Sequence, residues 1–125
     1  MKQISKKGII CSVFCALLLF MSFTSKEAAN DETLTIVATV TIKAGYKEDV
    51  LKAVKTVVDA TRKESGVIFY DVFEDVKNPL NITFIETWKS QSAIDMHNKS
   101  AHFNEFIKAL EGKATVEANV LRQKF

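Results

Sequence analysis

Cysteine is almost missing from this 125-residue chain: there are two, Cys11 and Cys15, both near the start. Proline is rarer still, with Pro79 alone, and the four glycines, Gly8, Gly45, Gly66 and Gly112, stand far apart. A domain without cysteine has no disulfide, no thiolate nucleophile and no Cys-ligated metal. Isolated glycines cannot form a phosphate-cradling loop, which leaves nicotinamide, nucleotide triphosphates and a classically bound flavin mononucleotide without support. A surplus of one charge is lacking too, since residues 30–125 carry 13 basic and 14 acidic side chains. Nothing there would draw the domain to DNA, RNA or an anionic membrane surface, so no nucleic-acid partner is expected.

What is present divides at residue 29. Residues 1–7 hold three lysines, and residues 8–23 are an uncharged stretch rich in Ile, Leu and Phe. A basic segment followed by a short apolar one reads as a secretory signal peptide. Sixteen helical residues span about 24 Å against a bilayer core of roughly 30 Å, which disfavours a permanent transmembrane helix. An uncleaved anchor is the alternative, because Lys26 and Glu27 occupy the places where a cleavage site before residue 30 would put small residues. Residues 1–29 are therefore read as signal peptide and tether, and residues 30–125 as one exported, periplasmic domain whose membrane contact runs only through the leader.

The domain alternates between two periodicities. Residues 34–42 place Leu34, Ile36, Ala38, Val40 and Ile42 on one face, a strand pattern rich in β-branched residues. Val50, Leu51, Val54, Val57, Val58 and Thr61 then recur at helical spacing, and Gly66 reads as the helix stop. Residues 67–75 and 81–89 form a hairpin turned by Asn78-Pro79, with Ile68, Tyr70 and Val72 on one face and Val67, Phe69 and Phe73 on the other. Ser90 caps a short helix to His97, Ser100 caps a second one carrying Phe103, Phe106, Ile107 and Leu110, and residues 115–125 alternate again as a final strand. The order β-α-β-β-α-β is that of a ferredoxin-like α+β fold with an antiparallel sheet. Both sheet faces are apolar and helices can cover only one, so a homodimer packed sheet against sheet is expected.

The two histidines, His97 and His102, and the single tryptophan, Trp88, gather near Glu86 and Tyr70 once the helix pair packs on the sheet. A cavity among them suits an apolar, aromatic ligand, and a histidine can take a proton from a phenolic hydroxyl. Glu86 on an apolar strand needs a partner such as Arg62, Lys89 or a histidine. His97 and His102 are five residues apart, not the three or four that align two ligands on one helical face, so no metal site is expected.

The segments Thr61-Arg62-Lys63-Glu64-Ser65-Gly66, Tyr70-Asp71-Val72-Phe73-Glu74-Asp75, Phe84-Ile85-Glu86-Thr87-Trp88 and His97-Asn98-Lys99-Ser100-Ala101-His102-Phe103, taken in order and spacing over residues 42–110, resemble the antibiotic biosynthesis monooxygenase superfamily. The resemblance implies a dimeric α/β barrel of ferredoxin-like subunits, and oxygen chemistry on a quinol or related aromatic without metal, haem or flavin. The haem-degrading branch is set apart by an Asn on the first strand, which residues 34–42 lack. The expectation is a cofactor-independent monooxygenase taking a quinol and dioxygen, with His97 or His102 as general base, Glu86 orienting it, and Trp88, Tyr70 and Phe103 contacting substrate. Two alternatives stand beside it: a non-catalytic periplasmic dimer that binds an apolar small molecule, and an isomerase or lyase acting on a small carbonyl compound.

Overall fold

Strand β1 (Leu34–Ile42) buries every second side chain, from Leu34 to Ile42, and becomes the centre of the sheet. Its alternation makes this the natural outcome, because a period of two turns Leu34, Ile36, Ala38, Val40 and Ile42 to one side and leaves Val37 on the other. The computed structural model describes residues 32–125. The signal, tether and export readings of residues 1–29 lie outside the described residues. Among the described residues no helix is long and apolar enough to cross a membrane.

Gly45, at φ +89°, makes the turn into helix α1 (Lys47–Thr61), whose buried stripe is Val50, Val54, Val57 and Thr61. The acidic Glu48 and Asp49 in its first turn complement the helix dipole. The helix ends at Thr61, before Gly66, and Gly66 does not take the left-handed conformation of a helix stop. Its role is close packing instead. A Cβ on Gly66 would lie 2.5 Å from Ala93 Cβ, so only glycine lets the second helix settle against this backbone.

Strands β2 (Val67–Glu74) and β3 (Asn81–Trp88) form the hairpin. Asp75 Oδ1 accepts from Lys77 N at 2.7 Å, and Asn78 Oδ1 accepts from Leu80 N at 3.2 Å, side-chain bonds that shape its turn. The simple alternation of β2 fails at its start. Val67 pairs with Trp88 and Phe69 with Thr87, so Ile68 is the extra residue of a β-bulge. Val67 therefore packs against the core beside Tyr70 and Val72, while Ile68 is exposed, because a bulge moves every residue before it to the opposite face.

Helix α2 (Gln91–Asn98) and helix α3 (Ala101–Leu110) begin at the serines that the sequence marks. Ser90 Oγ accepts from Ala93 N and Ser100 Oγ from Phe103 N, both at 3.2 Å. Gly112, at φ +73°, turns the chain into β4 (Ala114–Arg122). The sheet order is β2-β3-β1-β4 with every neighbouring pair antiparallel, the ferredoxin-like α+β arrangement.

The core lies between the helices and the face of β1 and β3 that carries Val40, Phe84 and Trp88. Strand β4 extends beyond this cover. Val116 and Val120, opposite Val40 and Ile36, point to the helical side yet remain 41% and 56% exposed. On the other face, Phe69, Phe73 and Leu121 are exposed.

Candidate active site

A cavity of about 190 Å³ opens between the sheet and the helix pair. Its floor is Ile36, Ala38 and Phe84, its outer rim Val116 and Val120 of β4, and its roof Phe103 and Ile107 of α3. Three titratable residues line it, with Asn98 beside them: Tyr70 and Glu86, cross-strand partners on β2 and β3, and His97 from the last turn of α2. An apolar cavity of about 150 Å³ takes up benzene, so this one has the volume for a single substituted ring.

His97 is the most constrained of the three, 2% exposed and stacked at 4.7 Å from both Trp88 and Phe103. Its Nδ1 lies 2.7 Å from Glu64 Oε1. An ionised carboxylate can only accept, which assigns the hydrogen to Nδ1 and the lone pair to Nε2. Nε2 is buried and has no hydrogen-bond partner among the described residues. Burial pushes the His97 pKa below the ordinary histidine value, with the Glu64 hydrogen bond pulling the other way, so the ring is neutral at pH 7 and its Nε2 can accept a proton. This is the orientation logic of a histidine base held by a carboxylate.

Glu86 sits on the same wall, 7% exposed, and accepts a 2.9 Å hydrogen bond from Trp88 Nε1. Burial raises its pKa to about 7, the Trp88 bond opposes the rise, and Glu64 adds to it. Burial likewise pushes the Tyr70 hydroxyl up, keeping it protonated and able to donate.

The Glu86 shift has a stability consequence of definite sign. The folded state holds a proton that the unfolded chain releases near 4.5, so this group's contribution falls as pH rises from about 4.5 to 7 and is level above. The size is on the order of 3 kcal/mol at full effect. His97 acts in the opposite direction, its depressed pKa costing stability as pH falls below the ordinary histidine value. Urea unfolding at pH 5 and pH 8 therefore separates the two through Glu86→Gln: the variant gains stability over the parent on going to pH 8, and an identical pH dependence in both proteins refutes the assignment.

The structure redistributes the roles expected from sequence. Tyr70, Phe103, His97 and Glu86 line the cavity. Glu86 does not orient a histidine, because its partner is Trp88; Arg62, an expected partner, instead pairs with Asp71 and donates to the Tyr70 carbonyl. Trp88 is fully buried behind the cavity, where it supports Tyr70 and His97 rather than meeting a ligand. His102 faces a separate groove between α1 and α3. Glu64, which was not singled out, is the residue that orients both rings: His102 Nε2 lies 2.6 Å from the same Oε1. The signal for it was a histidine pair in need of an acid, and the loop after α1 supplies one.

The five-residue spacing, taken as one helix, separates the two rings; instead the chain breaks at Lys99-Ser100 and they meet with centroids 5.7 Å apart. Glu64, His97 and His102 each offer a ligand atom within 4.8 Å of the others. The three groups that could hold a metal ion are thus also placed to exchange a proton with one another.

Known proteins share this architecture and part of this sequence. The chain is 31% identical over 85 residues to a Bacillus subtilis (strain 168) protein named "Putative monooxygenase YcnE", covering 68% of this chain and 87% of that one. An uncharacterised Synechocystis protein, sll1783, is 27% identical over 97 residues, 76% of this chain and 66% of its own length. A crystal structure of a conserved protein from Methanosarcina mazei Go1 superposes with a TM-score of 0.71 at 29% identity, over 75% of this chain and 95% of that one. A structure described as an antibiotic biosynthesis monooxygenase does so at 0.67 and 28% identity, over 74% and 97%. The family model for antibiotic biosynthesis monooxygenase matches residues 33–109, from the first strand through nearly all of α3. With the fold and the matched residues in agreement, the chain belongs to the antibiotic biosynthesis monooxygenase family.

Proposed function

We propose that this domain oxidises a single-ring quinol or related phenol with dioxygen, the substrate supplying the electrons. The observation that carries the reading is the unpartnered Nε2 of a neutral, Glu64-held His97 at the wall of an apolar, ring-sized cavity. A phenolic hydroxyl placed there gives its proton to Nε2, and the resulting anion is the electron-rich species that dioxygen can oxidise. In the balanced reaction one oxygen atom enters the ring, as a quinone carbonyl from a phenol or as the hydroxyl of a hydroxyquinone from a quinol, the other leaves as water, and four electrons pass from the ring to dioxygen. Tyr70 and the protonated form of Glu86 are donors for the oxygens on the ring, and the apolar rim lets ring substituents extend over β4. The test is oxygen uptake with a panel of substituted quinols and phenols, aerobic and anaerobic. Enzyme-dependent uptake with quinone formation supports the reading; anaerobic turnover points to an isomerase or lyase, and ligand binding without turnover to a carrier.

The same reading includes a second copy of the chain. Phe69, Phe73 and Leu121 project from the uncovered sheet face beside Val37 and Ile85, and contiguous apolar surface of this kind is usually covered. A symmetric dimer formed sheet against sheet would bury it. Light scattering at micromolar concentration is expected to give twice the subunit mass, and Phe73→Asp to halve it; a monomer before substitution removes the dimer from the proposal.

A further inference from the structure

His97 and His102 open onto different spaces. His97 lines the cavity, whereas His102 lines a groove of about 370 Å³ between α1 and α3, with Phe106 forming a wall of both. One carboxyl oxygen of Glu64 contacts both rings: Oε1 is 2.7 Å from His97 Nδ1 and 2.6 Å from His102 Nε2. Exposure rises along the series, from 2% at the His97 side chain through 20% at Glu64 to 25% at His102. Ser100 Oγ, 3.2 Å from His102 Nε2, can donate to that nitrogen or accept from it, so it tolerates either tautomer of the ring.

We propose that Glu64 and His102 form a proton relay that connects the cavity base to solvent in the α1/α3 groove, away from the mouth through which a ligand enters. Resting on the quinol or phenol reading, the relay solves the problem of a substrate that plugs its own cavity. When His97 Nε2 takes the hydroxyl proton, the hydrogen on Nδ1 passes to Glu64 Oε1. Because a carboxylate only accepts, the resting His102 ring carries its hydrogen on Nε2, toward Glu64. Once solvent in the groove has moved that hydrogen to Nδ1, with Ser100 Oγ donating to the freed Nε2, the glutamic acid gives its proton to Nε2 and the imidazolium releases one from Nδ1 to water. The net change is one proton moved from the substrate hydroxyl to solvent. Glu64 returns to the carboxylate, and His97 is left with its hydrogen on Nε2, ready to return it to product before the relay runs backward and restores Nδ1–H. Asp49, Lys52, Glu105 and Lys113 line the receiving groove and make it a polar, wetted exit. His102 is thus a positioning and relay residue, and of the two histidines only His97 touches substrate.

The experiment is exchange of the His97 Nδ1 hydrogen with water, followed by ¹⁵N NMR of histidine-labelled protein without substrate. His102→Gln keeps a side chain that can bond to Glu64 but cannot carry a proton through, and exchange is expected to slow at least tenfold with the amide spectrum unchanged. In His102→Ala, added imidazole is expected to accelerate exchange saturably. Unchanged exchange in His102→Gln, no response to imidazole, or stoichiometric Zn²⁺ uptake that displaces both ring signals overturns the relay. With a phenol that turns over, His102→Gln lowers kcat and leaves KM unchanged. If no phenol turns over, the function proposed above fails while the exchange data still decide the relay.

Discussion

His97→Gln is expected to lower quinol-dependent oxygen uptake by about 10²–10⁴-fold, the usual range for removing a positioned proton acceptor. The effect should fall on kcat, because the cavity walls that bind the ring, Ile36, Ala38, Phe84 and Ile107, are untouched. Glutamine retains a donor for Glu64 and roughly the imidazole volume, so the fold has little reason to loosen. What it lacks is a basic nitrogen in place of Nε2, the buried ring nitrogen of His97 that no other described residue hydrogen-bonds. The pH profile should change as well. Uptake in the parent protein falls on the acid side as His97 protonates, at a pH below the ordinary histidine value because burial disfavours the cation. In the variant that limb disappears. Undiminished uptake in a folded His97→Gln protein would falsify the assignment of the base.

The largest effect on stability is expected at Trp88. Trp88→Ala removes the largest fully buried side chain, at a cost of about 3–5 kcal/mol for the transfer and the cavity left behind. A second cost follows, since Glu86 loses the indole N–H it accepts from, and an unsatisfied buried group costs roughly 1–3 kcal/mol more. Against a total stability of about 5–15 kcal/mol the variant is close to the folding threshold. Trp88→Phe separates the contributions: it keeps most of the packing against Tyr70 and His97 but not the hydrogen bond. Its loss should be less than half that of the alanine variant, with Glu86 titrating still higher than in the parent because the bond that lowers its pKa is gone. Urea denaturation of the three proteins measures both differences, and equal stability of parent and Trp88→Ala would show that Trp88 is not the keystone of this wall.

The sequence alone determined the element order, the caps and the inward face of most strands. Those are local properties: the alternation of β1 over Leu34, Ile36, Ala38, Val40 and Ile42, the serines at 90 and 100 and the turn at Asn78 act within a few residues of themselves. It also brought Tyr70, Glu86, His97 and Phe103 forward as candidates, because polar and aromatic types on apolar elements are conspicuous. The face of Ile68 was hidden, since the bulge arises from pairing with β3 and leaves no mark in the composition of β2. The reason for Gly66 was hidden likewise, being the approach of Ala93 from another element.

The division of labour in the site belongs to the tertiary structure. Glu64, His97 and His102 come from a loop and two helices, 33 and 38 residues apart for the two contacts, and no short-range pattern states that one carboxyl oxygen will lie between the two rings. Two acids were available for orienting a histidine, and Glu86 was the more visible because it sits on an apolar strand. Packing decided otherwise: Trp88, two residues along the same face of β3, reaches Glu86 first, while the break at Lys99-Ser100 swings both rings toward the end of α1. Residue type fixed which groups could exchange protons, and long-range packing fixed which of them meet, because hydrogen bonds of under 3 Å are set by where the elements dock rather than by how far apart the residues stand in the chain.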